Sequence, residues 1–174
     1  MMFVRISGAL AALLLASGIA CAQGAKPTDP QIAHIAYTAG QLDIEAAQQA
    51  LQKSKNKEVR DFATNMETDH KAVNDKALAL VKKLNVKPED NDTSKAMTKQ
   101  AAEKRAELAK LSGAAFDKAY IDNEVAYHKV VNGALEKTLI PSASNGELKD
   151  LLTTGLKIFQ GHEQHAEHVA ADLK

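Results

Sequence analysis

The sequence predicts an all-α protein built on a four-helix bundle. Ala, Leu, Lys, Gln and Glu dominate the chain, and these are good helix formers. Strand signals are missing: no stretch alternates β-branched with polar residues, and 174 residues hold only 4 Phe, 3 Tyr and no Trp. The four prolines, Pro27, Pro30, Pro88 and Pro141, leave long stretches uninterrupted, which permits long helices.

The first 22 residues have the three parts of a secretory signal. Met1 to Arg5 is a short basic start, Ile6 to Ala20 an apolar run, and Ala20-Cys21-Ala22 puts small residues at both key cleavage positions. The run is shorter than the roughly 20 residues a spanning helix needs. Residues 1–22 are expected to be a cleaved signal peptide, with no membrane span and a periplasmic or otherwise exported product. Lipid attachment at Cys21 is the alternative, although Gly18 stands where a lipobox usually carries Leu. Cleavage removes one basic residue and the only Cys, leaving 152 residues with 21 basic and 22 acidic side chains. That length suits one domain. The near-zero charge argues against electrostatic capture of nucleic acid or anionic lipid. Residues 23–29 are expected to be a flexible start and residues 30–174 the bundle domain.

The elements follow in order. The first helix is expected from Pro30 to about Lys53, capped by Asp29, with Ile32, Ile35, Ala39, Leu42 and Ala46 on its apolar stripe. The second runs from about Lys57 to Leu84 with Asn56 as its cap. Its stripe is Val59, Phe62, Met66, His70, Val73, Ala77, Leu80 and Leu84, spaced three or four residues apart. Asn85 to Thr93 reads as a loop. A shorter helix, Ser94 to Leu111, is followed by a break at Ser112-Gly113. The next helix spans Ala114 to Leu139 with Ile121, Glu124, His128, Val131 and Leu135 on one stripe, and Pro141 and Ser142 end it. The last starts at Ser144 with Glu147 completing a capping box, and carries Leu148, Leu152, Gly155, Phe159, His162, Ala166, Val169 and Leu173 on its stripe. Short links make antiparallel hairpins of the first and last pairs. The connection from Asn85 to Gly113 is long enough to return along the bundle. This is the up-down, crossover, up-down plan of a ferritin-like bundle with a shorter crossover helix.

Three histidines, His70, His128 and His162, occupy positions that the periodicity assigns to the interior. Counting outward from the two hairpin turns at about 1.5 Å per residue puts Glu124 level with His162, and His70 level with Gln41, near Asp43 and within a turn of Glu45. A crossover connection sets His70 and His128 at similar depth. Glu45 or Asp43, Glu67, His70, Glu124, His128 and His162 are therefore candidates for one layer. Imidazoles mixed with carboxylates suit a divalent transition metal: iron, manganese, zinc or copper. Glu67-Thr68-Asp69-His70 matches a Glu-x-x-His element. On the next helix Tyr127 stands at i+3 from Glu124 and His128 at i+4, which departs from the di-iron pattern and favours a single-metal or looser site.

The same residues have a plainer reading, a hydrogen-bonded polar core in which Glu124 accepts from His162 or His128. Tyr120 and Tyr127 read as packing residues whose hydroxyls reach a partner. His165 and His168 read as outward-facing, and His34 as either a fourth interior histidine or a helix-start residue. No Gly-rich phosphate loop, no Gly-x-Ser-x-Gly elbow and, after cleavage, no Cys is present, so binding is expected ahead of catalysis.

Several blocks carry a family likeness: Gly40-Gln41-Leu42-Asp43-Ile44-Glu45, Val59-Arg60-Asp61-Phe62-Ala63 through Met66-Glu67-Thr68-Asp69-His70, Phe116-Asp117-Lys118-Ala119-Tyr120 through His128, and His162. Through them the chain resembles the bacterial exported family known as domain of unknown function 4142, from about Gln31 to Leu173. The resemblance implies export and a ferritin-like fold, and its polar positions fall on Glu45, His70, His128 and His162. It implies no activity. The leading expectation is a periplasmic bundle with a buried His/carboxylate metal site, acting in metal binding or envelope stress protection. The alternatives are a non-catalytic structural or interaction module of the envelope, and a metal-dependent redox enzyme.

Overall fold

The computed structural model describes residues 26–173. The expected signal segment, the lipid-attachment alternative at Cys21 and residues 23–25 of the expected flexible start lie outside the described residues.

Helix α1 (Asp29–Lys53) is capped by Thr28 and not by Asp29. Gln31 accepts a hydrogen bond from the Thr28 backbone N–H at 3.1 Å. Asp29 has a different task. Its carboxylate accepts from the backbone N–H groups of Ser144 and Asn145, both at 2.8 Å, and so ties the start of the bundle to its last turn. Helix α2 (Lys57–Lys83) begins at the expected cap, Asn56, which accepts from Glu58 N and Val59 N. The apolar stripe of α2 is buried from Val59 to His70, but Val73, Ala77, Leu80 and Leu84 are only half-buried.

The chain leaves α2 through Asn85, at φ 52°, and returns beside the start of α1, where Glu89 N donates to Pro30 O at 3.1 Å. Helix α3 (Asp92–Ala109), capped by Asn91, then runs parallel to α1. Gln49 donates to Arg105 O at 2.9 Å and Lys53 to Ala109 O at 2.8 Å. It is the expected crossover, two residues longer at its start and two shorter at its end than its pattern suggested. Gly113, at φ 56°, turns the chain into α4 (Gly113–Ala134). Pro141 was expected to end this helix. The chain instead widens into a π turn, Leu135–Leu139, and continues as a short α5 (Ile140–Ser142). Ile140 N bonds to Leu135 O, five residues back. A wider turn gives the Pro141 ring room beside the preceding carbonyls, which a regular α turn would not. Helix α6 (Gly146–Asp172) is capped by Asn145, which accepts from Leu148 N at 3.0 Å. The expected Ser144/Glu147 box does not form: the cap falls one residue later, on Asn145, which leaves Glu147 at the second helical position, where it pairs with Lys83 of α2.

The result is the up-down, crossover, up-down bundle, with α1/α2 and α4/α6 as antiparallel hairpins and α3 laid along α1. Its interior is layered. One apolar layer holds Phe62, Met66, Phe116, Tyr120, Ile121 and Val169. The other holds Ile32, Ile35, Leu135, Leu139, Leu148, Leu152 and Phe159. Between them along every bundle helix lies a polar stratum: Asp43, His70, Glu124, His128 and His162. Just beyond it, Gly40 lets α1 and α2 come close. A Cβ there would stand 2.5 Å from Asn74 Oδ1, and Asn74 donates to Tyr37 O.

Candidate metal centre

Each bundle helix delivers its polar residue where the apolar stripe calls for a core side chain. On α1, Asp43 sits beside Leu42 and between Ala39 and Ala46. On α2, His70 follows Met66 by four residues, and on α6, His162 follows Phe159 by three. On α4, Glu124 and His128 stand four apart and so share a face. All five are deeply buried, with relative exposures of 2% for Asp43 and His70, 1% for Glu124 and His128, and 6% for His162.

The three rings meet. Their centroids are 5.7 Å (His70–His128), 5.2 Å (His70–His162) and 5.5 Å (His128–His162) apart. One ligand atom from each of His70, His128 and His162 lies within 4.8 Å of the others, and so does one from each of Asp43, Glu124 and His128. Asp43 Oδ2 joins the two sets, at 3.2 Å from His70 Nε2 and 3.5 Å from His128 Nε2. Phe159 lies flat against His70, with 4.5 Å between centroids and 10° between planes, and so fixes that ring.

Two of the imidazoles are oriented from behind. His128 Nδ1 lies 3.0 Å from the Glu124 carbonyl oxygen. A carbonyl can only accept, so Nδ1 carries the proton and Nε2 keeps its lone pair. His162 Nε2 lies 2.9 Å from Asp69 Oδ2, which by the same logic leaves the lone pair on Nδ1. Those two inward nitrogens have no hydrogen-bond partner, and neither do both nitrogens of His70, both oxygens of Asp43, and Glu124 Oε2. Buried polar atoms without partners are costly. A cation would satisfy several at once, and a histidine whose outer N–H is held by a carbonyl or carboxylate is the usual arrangement of a metal ligand.

Protonation agrees with that chemistry. Burial pushes His162 down to about 4, outweighing the Asp69 hydrogen bond that pulls upward. Burial also lowers His128, against the attraction of Asp43. Both rings are therefore neutral near pH 7, the form that offers a lone pair. Burial by itself would raise the Asp43 carboxyl, but the His70 imidazole, helped by His128 and His162, holds it below the ordinary range. Glu124 is raised well above the usual carboxylate value, first by burial and then by the neighbouring Asp43 charge. The stratum thus offers imidazole nitrogens and an ionised carboxylate, with Glu124 as a second carboxyl that burial makes harder to ionise. Three imidazoles with a carboxylate suit zinc, copper, iron or manganese.

Of the residues singled out from sequence, His70, His128, His162 and Glu124 come together, and Asp43 joins them. Glu45 and Glu67 do not. Glu45 lies two residues beyond Asp43, about 200° around the helix, and pairs with Arg105 of α3 at 2.8 Å. Glu67 lies three residues before His70, about 60° off its direction, and accepts from Gln48 at 3.0 Å on the α1–α2 flank. The sequence reading passed over Asp69 and Phe159 as working parts of the site. Asp69 sits next to His70 in sequence, but its partner is 93 residues away, which no local pattern reveals. The tail histidines diverge: His165 packs edge-on against Phe62 at 5.2 Å between centroids, and His168 is exposed near Asp172. His34 is half-buried and apart from the cluster. Tyr127 donates to Ala39 O at 2.8 Å, whereas the buried Tyr120 hydroxyl finds no partner.

A family model described as a domain of unknown function, DUF4142, matches residues 15–169. No curated protein matches the chain. Among solved structures, a DUF305 protein from Streptomyces coelicolor that is thought to be secreted superposes with a TM-score of 0.70 at 11% identity, covering 82% of this chain and 91% of that one. At that identity the likeness is one of fold.

Proposed function

This chain belongs to the DUF4142 family, and we propose that it is an exported bundle protein that holds one divalent transition metal on His70, His128 and His162 with Asp43, acting in metal binding or envelope stress protection. The observation that carries the reading is the inward pair of lone pairs on His128 Nε2 and His162 Nδ1. Each is left free by an outer hydrogen bond and is buried without a partner, in rings whose centroids lie 5.7 and 5.2 Å from that of His70. Glu124 lies beside that set, its buried Oε2 without a hydrogen-bond partner, as a further ligand. Export is supported by the signal-like first 22 residues. Among the described residues, no helix is long and apolar enough to cross a membrane.

The test is metal uptake. Protein purified without tag or chelator is loaded with zinc, copper(II), manganese or iron(II) and measured by elemental analysis and thermal unfolding. About one metal per chain is expected, with unfolding shifted upward, because a ligand that binds only the folded state must stabilise it. His70→Ala should abolish both. Less than about a tenth of a metal per chain, with melting indifferent to every ion, would sink the proposal. That result would favour a structural module whose polar core rests on the 3.2 Å His70–Asp43 contact.

A further inference from the structure

The buried ligand atoms fall into two triads of different chemistry. One is all imidazole: His70, His128 and His162. The other sets two carboxyl groups beside one imidazole: Asp43, Glu124 and His128. In each triad one ligand atom from every member lies within 4.8 Å of the others. The three members of the second are no more than 2% exposed. His128 is flanked on both sides, with Asp43 Oδ2 3.5 Å from its Nε2 and Glu124 Oε2 3.7 Å from its Nδ1.

The imidazole triad gives no reason for Glu124. Its Oε2 is buried without a hydrogen-bond partner, as are both Asp43 oxygens. The two carboxyl groups therefore do not share a proton through a hydrogen bond, the usual way in which a pair of buried acids is reconciled. Among the described residues, no Lys or Arg pairs with either group; the contacts of both are to histidines. Two buried carboxyl groups without a cation or a donor are expensive. A divalent ion between them would remove their repulsion and satisfy the stranded oxygens together. The ion each triad favours differs. Imidazole nitrogens suit zinc and copper, whereas carboxylate oxygens suit harder ions, of which manganese(II) also accepts an imidazole.

We propose that Asp43, Glu124 and His128 form a second ion position that takes manganese(II), overlapping the three-imidazole position that takes zinc or copper(II). The inference rests on the reading of this layer as a metal centre and adds a rule for which ion goes where. Occupation is exclusive. With Nδ1 given to the Glu124 carbonyl oxygen, His128 has one lone pair and serves one ion at a time. Asp43 stands at both positions, so His70 and His162 on one side and Glu124 on the other set the preference. In a layer with one position His70→Ala removes every ion; with two it removes zinc and spares manganese.

The experiment uses the exported protein, untagged and free of chelator, loaded with manganese(II) alone or copper(II) alone. Pulsed electron paramagnetic resonance counts the imidazole nitrogens coupled to each ion. One imidazole is expected on manganese and three on copper. Manganese affinity is read from the signal of the free ion, and zinc affinity by competition with a chromophoric chelator. Glu124→Gln should weaken manganese at least about tenfold and zinc by less than about threefold, and His70→Ala should do the reverse. Circular dichroism confirms that each variant folds, and the nitrogen count needs no variant. In the parent protein, zinc should expel manganese one for one. Manganese coupled to two or more imidazoles, a folded Glu124→Gln variant that keeps manganese affinity, or both ions bound at once would each overturn the inference while leaving the three-imidazole centre standing. A parent protein that takes up manganese on one imidazole but neither zinc nor copper would instead sink the three-imidazole reading and leave the second position intact. Uptake of no ion at all would sink both.

Discussion

His162 should contribute one full proton to the pH dependence of the metal-free protein's stability, in the direction that acid destabilises the fold. Burial lowers this imidazole from 6.5 to about 4 in the folded chain, against the upward pull of Asp69. Between those values the unfolded chain takes up a proton that the folded chain refuses. The contribution of the neutral ring is therefore complete above the unfolded value and is lost as the pH falls toward 4. The whole shift corresponds to roughly 3 kcal/mol, and the slope inside the window to about 1.4 kcal/mol per pH unit. His128 is lowered in the same direction and adds to the loss. Asp43, held below the ordinary carboxylate range, gives up its contribution only at still lower pH. Urea unfolding of the metal-free protein in steps from pH 7.5 to 4 measures the slope. His162→Gln should reduce it by about one proton's worth, while His168→Gln, at an exposed position, should leave it alone. A His162→Gln variant with the parent slope would refute the burial argument; the raised Glu124 carboxyl acts in the opposite direction, so the test is the difference between the two slopes and not the sign of the parent's.

Other outcomes follow from particular contacts. Asp69→Ala should weaken zinc binding about 10–100-fold, as loss of a partner behind a ligand commonly does. Asp69→Asn should recover most of it, since an amide oxygen can still accept from His162 Nε2, and calorimetric titration compares the two. Gly40→Ala should cost about 1–3 kcal/mol of overpacking, because its Cβ would meet Asn74 Oδ1 at 2.5 Å. Adding Asn74→Ala should return part of that in denaturant unfolding. Glu45→Gln and Glu67→Gln should leave metal affinity within about twofold, since both side chains are engaged outside the stratum, and stability within about 1 kcal/mol. A large loss of metal binding in either variant would reinstate them as ligands.

The polar layer explains why the bundle is divided. A layer of Leu or Ile at those five positions would bury apolar area at roughly 25 cal/mol per Å². Asp43, His70, Glu124, His128 and His162 replace that gain with unpartnered polar atoms, a stability cost. Retaining five such residues on four helices at one level points to what they do, since packing alone would not select them.

Helical periodicity by itself determined the architecture. Stripes spaced three and four apart marked every bundle helix, Asn56 and the Asn85–Gly113 stretch fixed the hairpin and the crossover, and turn-to-residue counting set His70, His128, His162 and Glu124 at one depth. Those features are local, or follow from rise per residue. Tertiary structure decided which acidic residues serve the layer. Asp43 and Glu45 differ by about 200° of helix rotation, and which faces inward depends on where α3 lies against α1. Likewise Asp69 finds its role only across the α2–α6 contact, and Asp29 leaves its expected cap to hold the turn before α6. Periodicity gives the angle of a side chain about its own axis. The partner it meets is set by the rotation and spacing of a neighbouring helix, and those are fixed only when all the faces pack at once.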